Sequence, residues 1–69
     1  MKISARNSLP GIVRKIERGA VNAEVTLELG ANLQIVSIVT LDAVDDLKLK
    51  VGDRAYAVIK VSSVMLGVD

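Results

Sequence analysis

Few side chains in these 69 residues can do acid–base, nucleophilic or metal chemistry, and those present point away from catalysis. There is no His and no Cys, which removes disulfides, structural zinc and most transition-metal sites. A nucleophile would have to be Ser or Thr activated by Lys, and a general base Asp or Glu. The acids are Glu17, Glu24, Glu28, Asp42, Asp45, Asp46, Asp53 and Asp69. All fall on helix faces, turns or polar strand faces, where a solvated carboxylate is the ordinary expectation. The adjacent pair Asp45 and Asp46 does not converge on one point of a helix, so it makes a poor cation site. No enzyme is expected.

Anion binding is better supplied. Ser4 and Arg6 stand two apart in an extended arm spanning residues 2–6, so both side chains emerge on one face of it. Lys60 ends a strand and is followed by Ser62 and Ser63. Thr40 offers a hydroxyl at the mouth of a helix, beside the free N–H groups of residues 41–43. Arg and Lys would supply the compensating charge. Each residue also has a plain structural role: Thr40 as a helix cap, Arg6 and Lys60 as solvated surface.

The elements that must hold these groups follow from periodicity. Val21, Ala23, Val25, Leu27 and Leu29 alternate with Asn22, Glu24, Thr26 and Glu28, which predicts a half-buried strand. Gly30-Ala31-Asn32 closes it. The run Leu33 to Val39 is apolar on both alternating faces, so both faces are expected to be covered, by this chain or by another subunit. Upstream, Ile12 to Arg18 reads as a strand, with Pro10 and Gly11 at its start and Gly19 at its exit. Downstream, Leu41, Val44 and Leu47 recur at three-residue spacing behind Thr40 as N-cap, a helix of about two turns. After the Val51-Gly52-Asp53 turn, Arg54 to Lys60 is a strand and Val64 to Val68 a last short one. The order β-β-β-α-β-β predicts an all-β, OB-like five-stranded Greek-key barrel with one short helix between strands 3 and 4.

Composition bounds the assembly. At 7.3 kDa there is room for one domain, residues 1–69, and a compact chain of this mass exposes about 4,200 Å². Burying the apolar part of the surface hidden on folding contributes on the order of 95 kcal/mol, against roughly 100 kcal/mol for ordering the chain. A monomer therefore needs a staple. With 51% apolar residues, almost all small, no Phe, no Trp and no cysteine, the available staple is oligomerisation. No apolar run is long enough to cross a membrane, and Met1 to Arg6 lacks the apolar stretch of a signal peptide. A cytoplasmic homo-oligomer is expected. Nucleic acid is a poor match as a partner: the net charge is +1, and Tyr56 is the one aromatic residue available for base stacking.

The motifs resemble one family along the whole chain. Ser4-Ala5-Arg6-Asn7 followed by Gly11, Gly19-Ala20-Val21 after the first strand, Ser37-Ile38-Val39-Thr40 before the helix, and Leu47-Lys48-Leu49-Lys50-Val51-Gly52-Asp53 ahead of Ala57-Val58-Ile59-Lys60 are similar to the Mop (molbindin) family of molybdate-binding domains. The resemblance implies an OB-like domain in its free-standing form. It further implies a hexamer built as a trimer of dimers, and cytoplasmic storage of molybdate or tungstate bound between subunits. It carries Ser4 and Arg6, with the backbone of Ala5 and Asn7, onto one subunit's share of the site. Thr40, the Ala43 N–H, Lys60 and the Val61 backbone become the neighbour's share. Some relatives carry Ser where this chain has Ala43, so only a backbone contact is expected there. A second interfacial site is implied at Gly19, Ala20 and Val21, with Ser62 a further candidate. The same resemblance admits a molybdopterin-binding or molybdate-sensing interaction module, and the fold order alone admits an OB-type nucleic-acid module.

The donor set suits a tetrahedral dianion. Molybdate accepts hydrogen bonds on every oxygen, whereas protonated phosphate brings a donor that Arg, Lys and amide N–H groups cannot accept. Sulfate is smaller, and tungstate nearly matches molybdate in size.

Overall fold

A strand of 12 residues, Asn7–Arg18 (β1), carries both halves of a curled antiparallel sheet. Its first half, Asn7 to Ile12, pairs with Arg54–Ile59 (β4). Its second half, Ile12 to Arg18, pairs with Asn22–Gly30 (β2), which in turn pairs with Leu33–Thr40 (β3). The sheet order is β3-β2-β1-β4. The computed structural model describes residues 4–69, so Lys2 and Ile3 of the expected arm lie outside the described residues.

β1 changes partners at a bulge between Val13 and Lys15. One extra residue bends the strand and sharpens its twist, just past Ile12, where its pairing passes from β4 to β2. The bend is tied to the turn before β4: the Val13 N–H donates to the Asp53 carbonyl at 2.8 Å, and the Gly52 N–H donates to the Val13 carbonyl at 2.7 Å. Gly52 takes φ +97° in that turn, a conformation open to glycine.

Two sequence expectations shift here. Pro10 and Gly11 do not precede the strand; they lie inside it. Over this half β1 has a ladder partner on one side, so a residue without an N–H is tolerated. A Cβ on Gly11 would meet the Glu28 carbonyl oxygen at 2.8 Å, so the residue allows β1 and β2 to approach closely. The other shift is the strand count, which is four, not five. Val64 to Val68 has no strand structure among the described residues. A strand exists only by ladder pairing, and this segment pairs with neither β3 nor β4, whose outer edges stay open.

The core is correspondingly small: Val13, Ala23, Val25, Leu27 and Val44 are the buried apolar residues. Ala23, Val25 and Leu27 are the inward set of the alternation in β2, as its pattern predicts. In β3 Ile35 and Val39 pack against that core, while Leu33, Val36 and Ile38 remain exposed. The second apolar face of β3 is thus uncovered in the single chain.

Thr40 caps a six-residue helix, Leu41–Asp46 (α1), which buries Val44. Leu47, expected on its inner face, is the exposed C-cap. The helix ends in a Schellman motif: the Lys48 N–H donates to the Asp45 carbonyl and the Leu49 N–H to that of Val44, both at 3.1 Å. Lys48 occupies the left-handed position at φ 54°, where a Cβ costs on the order of 1 kcal/mol. No helix among the described residues is long and apolar enough to cross a membrane.

Lys48→Gly is therefore expected to raise the unfolding free energy by about 0.5–1 kcal/mol, because relief at φ 54° outweighs glycine's larger unfolded-state entropy. Urea denaturation at fixed protein concentration reads this directly, and a destabilised variant would contradict the capping geometry.

Candidate functional site

The pairing of β1 with β4 decides which charges meet. Asn7 lies opposite Ile59, so the residues just before β1 run alongside those just after β4. Ser4, Ala5, Arg6, Lys60, Val61 and Ser62 line one open groove of about 450 Å³. Sequence reasoning, following the family resemblance, divided Arg6 and Lys60 between two subunits. In this chain they share a groove. Ser62, assigned to a second site with Gly19, lines the same groove. Asn7 is half-buried as the first residue of β1.

The groove is rich in donors. Arg6 and Lys60 bring two positive charges, and among the described residues neither is in an ion pair. Ser4 and Ser62 add hydroxyls. A single 3-10 turn at Val61–Ser63 follows Lys60, closed by the Ser63 N–H donating to the Lys60 carbonyl at 2.9 Å. The N–H groups of Val61 and Ser62, at its start, make no backbone hydrogen bond among the described residues. No carboxylate lines the groove. Elsewhere the acids hold bases: Glu28 pairs Arg14 at 3.2 Å and Asp45 pairs Arg18 at 3.3 Å. These pairs are half exposed and contribute little stability, but they keep negative charge away from Arg6 and Lys60.

Thr40 and Ala43 lie at a different place. Thr40 pairs with Asn22, and Arg18 at the far end of β1 pairs with the next residue, Ala23. The groove and the helix cap thus sit at opposite ends of β1. The Thr40 hydroxyl accepts from the Ala43 N–H at 3.0 Å, which commits that amide while leaving the hydroxyl proton free to donate. Asp42 places a carboxylate in the same turn, and it opposes an anion there. The turn at Gly19, Ala20 and Val21 is next to this cap, since the Leu41 N–H donates to the Val21 carbonyl at 3.1 Å. The Gly19 amide is used internally, donating to the Asn22 carbonyl at 2.7 Å. The amides of Ala20 and Val21 have no backbone acceptor among the described residues.

The juxtaposition of Arg6 and Lys60 within one chain follows from the start of β1, which reaches back through Gly11 and Pro10 to Asn7 and pairs with β4; a strand beginning at Ile12 does not reveal it.

Among the described residues no three His, Cys, Asp or Glu side chains group to hold a metal ion. The arrangement in the groove can bind an anion through charge and hydrogen bonds.

Comparison with known proteins agrees with a small β-rich binding domain. Residues 3–66 match the TOBE domain. The chain is 54% identical over 69 residues to a probable molybdenum-pterin-binding protein of Haemophilus influenzae, covering 100% of both chains. It superposes on the solved structure of MopII from Clostridium pasteurianum with a TM-score of 0.90, at 43% identity, covering 97% of this chain and 100% of that one. It also superposes on the cytoplasmic molybdate-binding protein ModG, in a form with molybdate bound, with a TM-score of 0.93 at 56% identity. That match covers 100% of this chain and 49% of ModG. The fold is thus that of the OB-like Mop domains. The chain belongs to the TOBE-domain family and, within it, to the Mop (molbindin) proteins.

The cap itself is testable. Thr40→Ala is expected to cost about 1 kcal/mol of unfolding free energy, with Thr40→Ser restoring most of it. Equal stability of the alanine variant and the parent in urea titrations would refute the hydrogen bond from Ala43 as a stabilising contact.

Proposed function

We propose that this protein binds molybdate or tungstate as an oxyanion, in an oligomer whose sites lie between subunits, and so stores or buffers it in the cytoplasm. The observation that carries the reading is the groove in which unpaired Arg6 and Lys60 converge with Ser4 and Ser62 and with no acid. The molybdate-binding relatives and the molybdate-bound ModG point to the same ligand class.

In the proposed site Arg6 and Lys60 neutralise the dianion, each charge-assisted hydrogen bond contributing about 1.5–3 kcal/mol. Ser4 and Ser62 donate hydroxyl protons, and the backbone of Ala5, Asn7 and Val61 frames the groove. Thr40 and Ala43 can join the same anion from a second chain, because within one chain they stand at the other end of β1. Their contribution would be the Thr40 hydroxyl proton, since the Ala43 amide already serves Thr40. A second, backbone-dominated site at Gly19, Ala20 and Val21 rests on the free amides of Ala20 and Val21. A hexamer arranged as a trimer of dimers would bring both kinds of site to subunit seams.

The relatives' description as molybdenum-pterin-binding raises a second ligand. A pterin ring calls for a flat apolar or aromatic slot, and the groove offers none. Tyr56 lies instead on β4, with the Arg54 guanidinium 5.7 Å from its ring centroid. That single aromatic also leaves a base-stacking nucleic-acid surface without material. The chemistry is binding, not turnover.

Calorimetric titration with molybdate, tungstate, sulfate and phosphate tests the reading. Micromolar or tighter binding of the first two, with sulfate and phosphate at least tenfold weaker, is expected. No molybdate binding at micromolar levels sinks it. Arg6→Ala and Lys60→Ala are each expected to weaken molybdate tenfold or more, about 1.4 kcal/mol, without changing the oligomeric mass. Unchanged affinity in both variants would reject this groove as the site.

A further inference from the structure

The groove between the arm and the end of β4 holds a reactive group as well as binding groups. Lys60 is the one lysine that lines it. It is exposed, and among the described residues it is in no ion pair. Lys15, by contrast, is held by Glu17 at 3.3 Å, and Lys48 and Lys50 lie outside the groove. Arg6 shares the groove with Lys60 and stays charged, so it supplies attraction for an anion without competing as a nucleophile. The groove's volume of about 450 Å³ falls within the roughly 300–1,000 Å³ of sites that take small organic molecules, so a tetrahedral oxyanion can enter with a substituent attached. A phosphate carrying one substituent loses its second proton near about pH 6. At neutral pH most of it therefore presents oxygens without an O–H, which is what a lining of donors accepts.

We propose that Lys60 is a site of acylation by small acyl phosphates, which Arg6, Ser4 and Ser62 hold in the groove by the phosphoryl end. The unprotonated fraction of the Lys60 amine attacks the acyl carbon. A C–N bond forms, the bond from the acyl carbon to the phosphate oxygen breaks, and inorganic phosphate leaves with that electron pair. The surplus proton on nitrogen passes to water, and no oxidant, reductant or further reactant is needed. Holding the phosphoryl group makes the attack effectively intramolecular, and this selects Lys60 over lysines without an anion-binding neighbour.

The product is an uncharged amide, so one of the two positive charges lining the groove is lost. On the oxyanion reading of this groove, on which this consequence alone rests, acylation weakens oxyanion binding and bound oxyanion shields the amine. Acyl phosphate supply and oxyanion storage then oppose each other at one side chain.

The probe is acetyl phosphate, compared with acetic anhydride, an uncharged donor that needs no anion site. The intact protein is treated with each at neutral pH to low conversion, and fragment-ion mass spectrometry quantifies acetylation at Lys48, Lys50 and Lys60. The ratio of Lys60 to the mean of Lys48 and Lys50 is expected to be higher with acetyl phosphate by a factor of about five or more. Equal ratios for the two donors overturn the inference, and this comparison requires no variant to fold. Arg6→Ala is expected to bring the acetyl phosphate ratio down to that of the anhydride. An unchanged ratio, in a variant folded by circular dichroism, overturns the inference as well. Molybdate added beforehand is expected to protect Lys60. Selective acylation without that protection upholds the inference and counts against the oxyanion reading. Absence of selectivity in a protein that calorimetry shows to bind molybdate does the reverse.

Discussion

The double pairing of β1 is the constraint on which the rest of the molecule depends. The 12-residue β1 bonds to β4 along its first half and to β2 along its second, and the bulge between Val13 and Lys15 bends it just after the two stretches meet. The consequences run in both directions along the strand. At its start, pairing with β4 brings the arm carrying Ser4 and Arg6 against Lys60 and Ser62. At its end, pairing with β2 places the Gly19–Val21 turn beside the capped helix. Val13, at the bulge, is fully buried, and its backbone holds the turn that launches β4. Core, turn and groove thus share one distortion.

The same arrangement leaves the fold unfinished. A sheet ordered β3-β2-β1-β4 has two edges, and small apolar residues cannot fill the space between them from within. Much of the lining between these edges is Val, Ala and Ile, whose side chains extend only a short way from the backbone. This explains why five buried residues make up the core while large apolar side chains on β3, β4 and the last segment remain in solvent. Exposed apolar surface on this scale marks an interaction surface. An assembly is the natural completion of such a chain, and sites at its seams would then exist only in the assembled form.

Much of this was legible in the sequence, for identifiable reasons. The period-two pattern of β2 is visible because one of its faces is buried and the other wet, and Ala23, Val25 and Leu27 are the buried set. Thr40 is legible because the cap, the following acid and the spacing of Leu41 and Val44 agree. The start of β1 was not legible, because Pro10 and Gly11 ordinarily interrupt strands, and only the absence of a second neighbour there and the close approach to Glu28 reverse that reading. Val64 to Val68 has the composition of a strand, but composition does not supply a ladder partner, and none of the four strands pairs with it. The candidate residues of the groove were recognisable by type. The meeting of Arg6 and Lys60 within one chain was not, because it depends on the register of β1 against β4.

Charge placement explains how a chain of net charge +1 can present a locally positive groove. Electrostatic attraction at contact is set by the nearest few charges, since salt screens the others within about 8–10 Å. Arg14, Lys15 and Arg18 are each occupied by an acid, so they add little to any external field. Arg6 and Lys60 have no such partner among the described residues, and together they make a local surplus of two positive charges in a groove without carboxylates. That surplus matches a dianion. The groove's other groups, hydroxyls and amides, can all donate, and a fully deprotonated tetrahedral anion accepts at every oxygen. A protonated phosphate would present an O–H toward Arg, Lys and amide N–H groups that cannot accept it, leaving the two serine hydroxyls as its acceptors. In the proposed site, the donor chemistry of the groove disfavours a protonated anion relative to a fully deprotonated one.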